Sequence, residues 1–251
     1  MYSTINFDSV ADIYDLYVNT NLDVEFFVNE CSKASGDVLE LMCGTGRISI
    51  PLLENGIRLT CVDYMGKMLD VFKDKVIGKN YNVKIVEMDV SKLYLKKKYN
   101  LIILPFNSFS EILDTENQIS ALKKIFEHLN PDGKFICTLH NPIKRLKTAD
   151  GKTYEIGKYE TKNNKVLRVS YKNNFDKDSG VVFGKQYYEL YDGNNLVEKK
   201  ELDISFRLFE KREFEEMITG TGFKVENIYG NYDYSEFKEN ESPFMIWILK
   251  K

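Results

Sequence analysis

This sequence predicts an α/β protein with a parallel, doubly wound sheet and a small antiparallel sheet added late in the chain. Three observations lead there. Residues 38–53 read as a strand, a glycine turn and an amphipathic run: Val38 to Leu41 is apolar apart from Glu40, Gly44-Thr45-Gly46 breaks the chain, and Arg47 to Leu53 resumes it. Strand-like and helical runs then alternate to about residue 140. From about 152 to 208 the pattern changes to extended stretches with no convincing helix.

Each element has its own signal. Val10, Ile13, Tyr14 and Tyr17, then Leu22, Phe26 and Phe27, fall at helical spacing and predict two short helices over 7–34. Next come strand 37–42, helix 47–55, strand 57–63, helix 65–76, strand 84–88 and strand 99–106. A helix over 116–129 ends at the turn Asn130-Pro131-Asp132-Gly133, and 134–140 is a fifth strand. The extended stretches 153–161, 166–175, 181–191 and 196–208 are separated by Lys162-Asn163-Asn164, Lys177-Asp178-Ser179-Gly180 and Asp192-Gly193-Asn194-Asn195, which predicts an antiparallel meander. Residues 210–220 form a helix, and 223–229 and 244–249 are strands, the last too apolar to hang free.

Bulk properties limit the function. With 251 residues, 43% of them hydrophobic and 29% charged, a real core is expected. A net charge of −3 and a pI near 5.6 argue against nucleic acid as partner. Lys96-Lys97-Lys98 reads as a solvated turn. Cys31, Cys43, Cys61 and Cys137 lack metal-ligand spacing, and with 2 histidines no metal site is expected. Free buried thiols, no apolar leader and no long apolar span predict a cytoplasmic protein without a membrane segment.

Ligands of open α/β sheets bind beyond the carboxyl ends of the strands. The first strand ends in the glycine turn, where a backbone without Cβ atoms can approach a ligand closely. The second ends in Val62-Asp63, a carboxylate suited to both hydroxyls of a ribose or to capping the next helix. The third ends in Met88-Asp89-Val90, where Asp89 can accept from an adenine amine or cap a turn. The fourth ends in Pro105-Phe106-Asn107-Ser108-Phe109, an aromatic and polar rim. A dinucleotide fingerprint needs a third glycine where Ser49 stands, and a P-loop needs a Gly-Lys-Ser/Thr that is absent.

Together these strand ends resemble class I S-adenosylmethionine (SAM)-dependent methyltransferases over nearly the whole chain. The match runs through Glu40-Leu41-Met42-Cys43-Gly44-Thr45-Gly46-Arg47, Val62-Asp63, Met88-Asp89-Val90 and Leu104-Pro105-Phe106-Asn107-Ser108-Phe109. Residues 7–15 resemble the lid helix of the small-molecule branch, which includes glycine and sugar N-methyltransferases and carries a small antiparallel sheet after the fifth strand. The resemblance implies a Rossmann-like sheet of seven strands, the seventh antiparallel. The core would be 1–150 plus 209–251, with lid helices in 1–34 and an acceptor-side insertion at 151–208.

It also implies site residues. Gly44 and Gly46 would line the methionine moiety of SAM, with Glu40 and Thr45 in the same set. Asp63 would hold the ribose, Tyr64 with Met65 or Met68 the adenine face, and Asp89 and Val90 the adenine edge. Phe106 would pack near the sulfonium and Tyr14 would cover the cofactor. Arg47 departs from the family pattern, and would pair with the SAM carboxylate or sit on a solvated helix face. The reaction would move a methyl group to N or O of a small molecule. Alternatives are a SAM-binding partner module without turnover and a non-methylating use of SAM. Monomer and homodimer are both open.

Methyl transfer needs a nucleophile aligned about 3 Å from the methyl, and a hydroxyl acceptor usually needs a base. His140, ending the fifth strand in Leu139-His140-Asn141, is the candidate base, beside Asn141. His128 reads as a surface residue. Tyr17, Asn107, Tyr188 and Arg207 stand as candidate acceptor contacts, with Arg207 or Arg168 recognising an acidic group. The tyrosines of the meander fit core packing or a pocket roof, and the inward face is not legible from alternation alone.

Overall fold

A computed structural model describes residues 2–251. The strands of the main sheet are β1 (Val38–Leu41), β2 (Leu59–Asp63), β3 (Val83–Glu87), β4 (Tyr99–Leu104), β5 (Leu129–His140), β10 (Lys224–Tyr229) and β11 (Phe244–Lys250). Their order is β10-β11-β5-β4-β1-β2-β3, parallel from β5 to β3, with β11 antiparallel to both β5 and β10. The second sheet, β6 (Thr153–Glu160), β7 (Val166–Asp176), β8 (Val181–Asp192) and β9 (Asn195–Arg207), is an antiparallel meander inserted after β5.

The expected helices are α1 (Tyr14–Tyr17), α2 (Val24–Ser32), α3 (Ser49–Glu54), α4 (Gly66–Val76), α5 (Thr115–His128) and α7 (Lys211–Gly220). Three local details differ from the sequence reading. α3 starts at Ser49 because residues 44–48 remain in the turn. The turn expected at 130–133 is absorbed into β5, with Asp132 at φ +59° and a register shift against Tyr99/Leu101. A short helix, α6 (Pro142–Arg145), follows β5 and was not anticipated; Asn141 caps it by accepting from the Ile143 N–H at 3.1 Å.

Alternate residues of the central strands feed opposite faces. Leu39, Leu41, Ile102, Leu104, Phe135, Cys137, Trp247 and Leu249 pack with α5 and α7. Val38, Leu101, Ile103, Ile136, Ile246 and Ile248 pack with α2, α3 and α4. Each large apolar side chain so buried contributes about 1.5–3 kcal/mol, which is why the parallel strands read as continuous apolar runs. A third cluster joins the N-terminal segment to the meander through Ile5, Val10, Tyr17, Val169, Tyr188 and Phe206. The inserted sheet is thus tied to the N-terminal segment by this cluster, and to α5 and α7 through Arg207.

Candidate active site

The glycine turn is held by a carboxylate from the next strand. Asp63 accepts from the Gly44 N–H at 2.8 Å and from the Met65 N–H at 2.9 Å. Burial raises its pKa, and the backbone donors around it oppose that shift. The helix-capping and ligand-facing readings of Asp63 are thus compatible: it closes an Asx turn before α4 and also faces the cavity at Gly44. Met42 and Gly44 both sit at φ +54°, in left-handed backbone that costs Met42 of order 1–3 kcal/mol. Gly46, at φ +81°, has a different task from Gly44. A Cβ there would lie 2.4 Å from the Phe72 ring, so this glycine lets the turn pack on α4.

Glu40 is 1% exposed and accepts from the Ser49 hydroxyl at 2.6 Å. Burial lifts its carboxyl to about 8, against the opposing pull of that hydrogen bond and of Arg47. Ser49, where a dinucleotide fold would carry a glycine, thus has a defined partner.

The N-terminal segment closes over this corner. Asp8 accepts from the Lys67 and Met68 N–H groups at 2.9 and 3.3 Å, capping α4 from outside. Asp15 accepts from the Thr45 hydroxyl at 2.6 Å and pairs with Lys75 at 2.6 Å, while Lys75 also donates to the Thr45 carbonyl at 2.7 Å. The Tyr17 and Tyr188 hydroxyls meet at 2.8 Å, tying α1 to β8.

Beyond β4 the chain takes two left-handed residues in succession, Phe106 at φ +59° and Asn107 at φ +61°. The Asn107 N–H donates to Thr138 Oγ1 at 2.9 Å, and its side-chain oxygen is buried without a partner. Three cavities meet here. One of 40 Å³ is lined by Phe7, Tyr14, Met42, Gly44, Asp63, Tyr64, Met65, Met68, Ser108 and Glu111. A second of 40 Å³ lies across Gly44, between Glu40, Thr45, Arg47 and Phe106. The third, of 330 Å³, lies under the meander and includes Tyr14, Tyr17, Phe106, Asn107, Glu111, His140 and Arg145. Tyr14 lines all three. The Tyr64 hydroxyl, in the first cavity's wall, is buried with no partner, as expected of a group that meets a ligand.

Residues 38–133 match the sequence family described as "Methyltransferase domain". The relative named "Putative methyltransferase YqeM" of Bacillus subtilis (strain 168) is 21% identical over 202 residues, 80% of this chain and 78% of that one. The CcbJ methyltransferase of Streptomyces caelestis superposes with a TM-score of 0.82 at 21% identity, covering 98% of this chain and 97% of that one. Residues 38–133 are thus a methyltransferase domain, and the chain around them is similar in sequence and fold to SAM-dependent methyltransferases. It is also 26% identical over 137 residues to the glycine/sarcosine N-methyltransferase of Halorhodospira halochloris, 53% of this chain and 51% of that relative. It therefore spans about half that relative's length.

In this methyltransferase several residues stand elsewhere than the sequence suggested. Arg47 is on no solvated face: its guanidinium holds Asp23 through both nitrogens at 2.6 and 2.7 Å and lies 4.5 Å over the Phe106 ring. Asp23 is 24 residues upstream, beyond any local pattern. Asp89 Oδ1 accepts from the Ser91 N–H and hydroxyl, both at 2.8 Å, and neither Asp89 nor Val90 lines these cavities. Arg207 is far from an acceptor role, pairing with Glu213 and donating to Gln118 at 3.1 Å. Tyr188 is 1% exposed, bonds Tyr17, and lines not the 330 Å³ cavity but a separate one of 430 Å³.

Asn141 is fully used by the backbone: besides capping α6, it donates to the Glu239 and Ser242 carbonyls, each at 2.7 Å. It lines none of the three cavities. His128 is buried, not on the surface, because Leu95 N–H donates to its Nε2 at 2.9 Å; Nδ1 therefore carries the proton given to the Lys124 carbonyl. His140 does line the large cavity, but burial, helped by the Arg145 charge, pushes it down to about 3.

Two charged lining residues escaped the sequence reading. Glu111 lies four positions past Asn107, and an acid so close to a strand-end rim is a usable signal. Burial and the Asp63 charge lift its carboxyl to about 8. Arg145 ends α6, a helix that the Asn141-Pro142 start signal announces. Met42 has no such signal, because a left-handed methionine follows from the folded turn alone.

Proposed function

We propose that this methyltransferase moves a methyl group from SAM to a nitrogen of a small-molecule acceptor bound in the 330 Å³ cavity. The observation that carries this reading is a junction: Tyr14 and Glu111 line both that cavity and the one at Gly44, Asp63 and Tyr64. The residues present fit SAM. Asp63 and the unpartnered Tyr64 hydroxyl offer an acceptor and a donor for a ribose, and Met65 and Met68 an apolar wall for an adenine. Asp89 Oδ2, unused in its turn, is the adenine-amine acceptor in this reading. Glu40 beside Gly44 offers a carboxyl oxygen that can accept from an ammonium.

Bound SAM supplies an electrophilic methyl on a good leaving group. What remains for the chain is alignment, exclusion of water and removal of a proton. Tyr14, Tyr17 and Phe106 wall the acceptor in. The Glu111 carboxylate, with no hydrogen-bond partner among the described residues, attracts an ammonium and accepts its proton. His140 is a poor alternative, since a second buried cation beside Arg145 is unfavourable.

The test is incubation of purified protein with SAM and a panel of amines, followed by mass spectrometry. S-adenosylhomocysteine (SAH) together with N-methylated acceptor is the expected result. Methylthioadenosine would indicate another use of SAM, and binding without any product would indicate a module without turnover.

A further inference from the structure

Arg145 is a cation without a counter-charge. Arg47, Arg58, Arg207 and Arg212 each pair with a carboxylate. Arg168 has no such pair but is exposed, lying over the Tyr191 ring. Arg145 lines the large cavity instead. Its Nη1 donates to Thr148 Oγ1 at 2.6 Å, and with the Asn173 amide oriented to satisfy both its groups, Nη2 donates to that side-chain oxygen at 3.2 Å. The guanidinium is braced over the Phe206 ring at 5.0 Å and the Tyr171 ring at 5.4 Å. Every one of these partners is neutral. An arginine does not shed its proton, so the cavity wall carries a full positive charge.

Removing such a charge from water is costly unless an anion meets it. The geometry around Arg145 fixes the plane of the fork and leaves further N–H donors for an oxyanion. Glu111, the acid in the lining, stands at the opposite functional boundary, where the cavity meets the one at Gly44. The cavity thus carries an acid where it meets the methyl-donor corner and a permanent cation against the meander.

We infer that the acceptor carries an anionic group, a carboxylate or a phosphate ester, which Arg145 receives while the amine points to Glu111. The inference rests on the reading of the cavity as the acceptor site. It moves the anion-recognising role from Arg207 and Arg168 to Arg145, and makes Arg145 a positioning residue that sets specificity.

Calorimetry on SAH-saturated protein tests it with three probes that share an aminomethyl-aryl frame: 4-(aminomethyl)benzoate, 4-(aminomethyl)phenyl phosphate and the neutral 4-(aminomethyl)benzamide. At least one anionic probe should bind about tenfold or more tighter than the benzamide, the equivalent of about 1.4 kcal/mol. Whichever anion is preferred distinguishes carboxylate from phosphate. Arg145→Gln should erase the preference and Arg145→Lys retain part of it, both with unchanged SAH affinity and a near-unchanged melting temperature. Equal binding of charged and neutral probes, no binding of either anion, or a preference that survives Arg145→Gln overturns the inference. Failure of SAH to bind is a separate result: it would overturn the methyltransferase reading, while an Arg145-dependent anion preference, measured without SAH, would still stand.

Discussion

Glu111 faces two cavities with a carboxyl lifted to about 8, so below that pH it mostly holds a proton and cannot accept one. With an alkylamine acceptor, kcat/KM should rise through about pH 8 and fall again where the free amine loses its own proton. Glu111→Gln should abolish the rising limb and lower kcat by about 10²–10⁴. His140→Asn should leave the limb in place, because His140, pushed down to about 3, does not titrate in that range. A limb that persists in Glu111→Gln would assign the proton acceptor elsewhere. Glu40 gives a stability prediction. Its folded carboxyl at about 8 keeps a proton that the unfolded chain releases near the ordinary carboxyl value. Stability is therefore lost as pH rises from about 4.5 to about 8, by up to about 5 kcal/mol for this group. Glu40→Gln should gain on the natural protein across that window in denaturant unfolding at pH 5 and pH 8.5. Gly44, Asp63 and Phe106 were legible because a strand, turn and helix are local in sequence. Arg47 with Asp23, and His128 with Leu95, were not, because their partners arrive only through folding.

At the scale of elements, the proposed reading makes the N-terminal segment the control on access. Each small cavity measures 40 Å³, well below the ~300–1,000 Å³ typical of small-molecule sites. Tyr14 lines both, so in the proposed reading SAM enters with α1 displaced. Asp15→Asn, which weakens the tie to Lys75 and Thr45, should raise SAM association and dissociation rates together in stopped-flow fluorescence. Unchanged rates would show that α1 does not gate the site. Gly46→Ala drives a Cβ into Phe72 in left-handed backbone and should cost about 1–3 kcal/mol, with partial relief in the Gly46→Ala/Phe72→Leu double variant. The meander was legible from its turns, and its strands fall within a residue or two of expectation. Its inward face was not, because alternation marks two faces without saying which one a lid will cover. The structure gives that face to Leu167, Val169, Tyr188 and Phe206.

Across the whole molecule, the strand order places every parallel strand's carboxyl end along one edge, and the inserted sheet and lid close over it. Tertiary assembly brings Arg145 to the 330 Å³ cavity, where its contacts with Tyr171 and Phe206 come from the meander. The sheet was therefore legible in the sequence, while Arg145, which lines the 330 Å³ cavity where Arg168 and Arg207 do not, was not. The central claim is that SAM binds between Gly44 and Asp63 beneath Tyr14. Calorimetric titration of SAM into the purified protein tests this most directly. The account predicts one site of about micromolar affinity, weakened about tenfold or more by Asp63→Ala. No binding of SAM or SAH, or binding indifferent to Asp63→Ala, would contradict it.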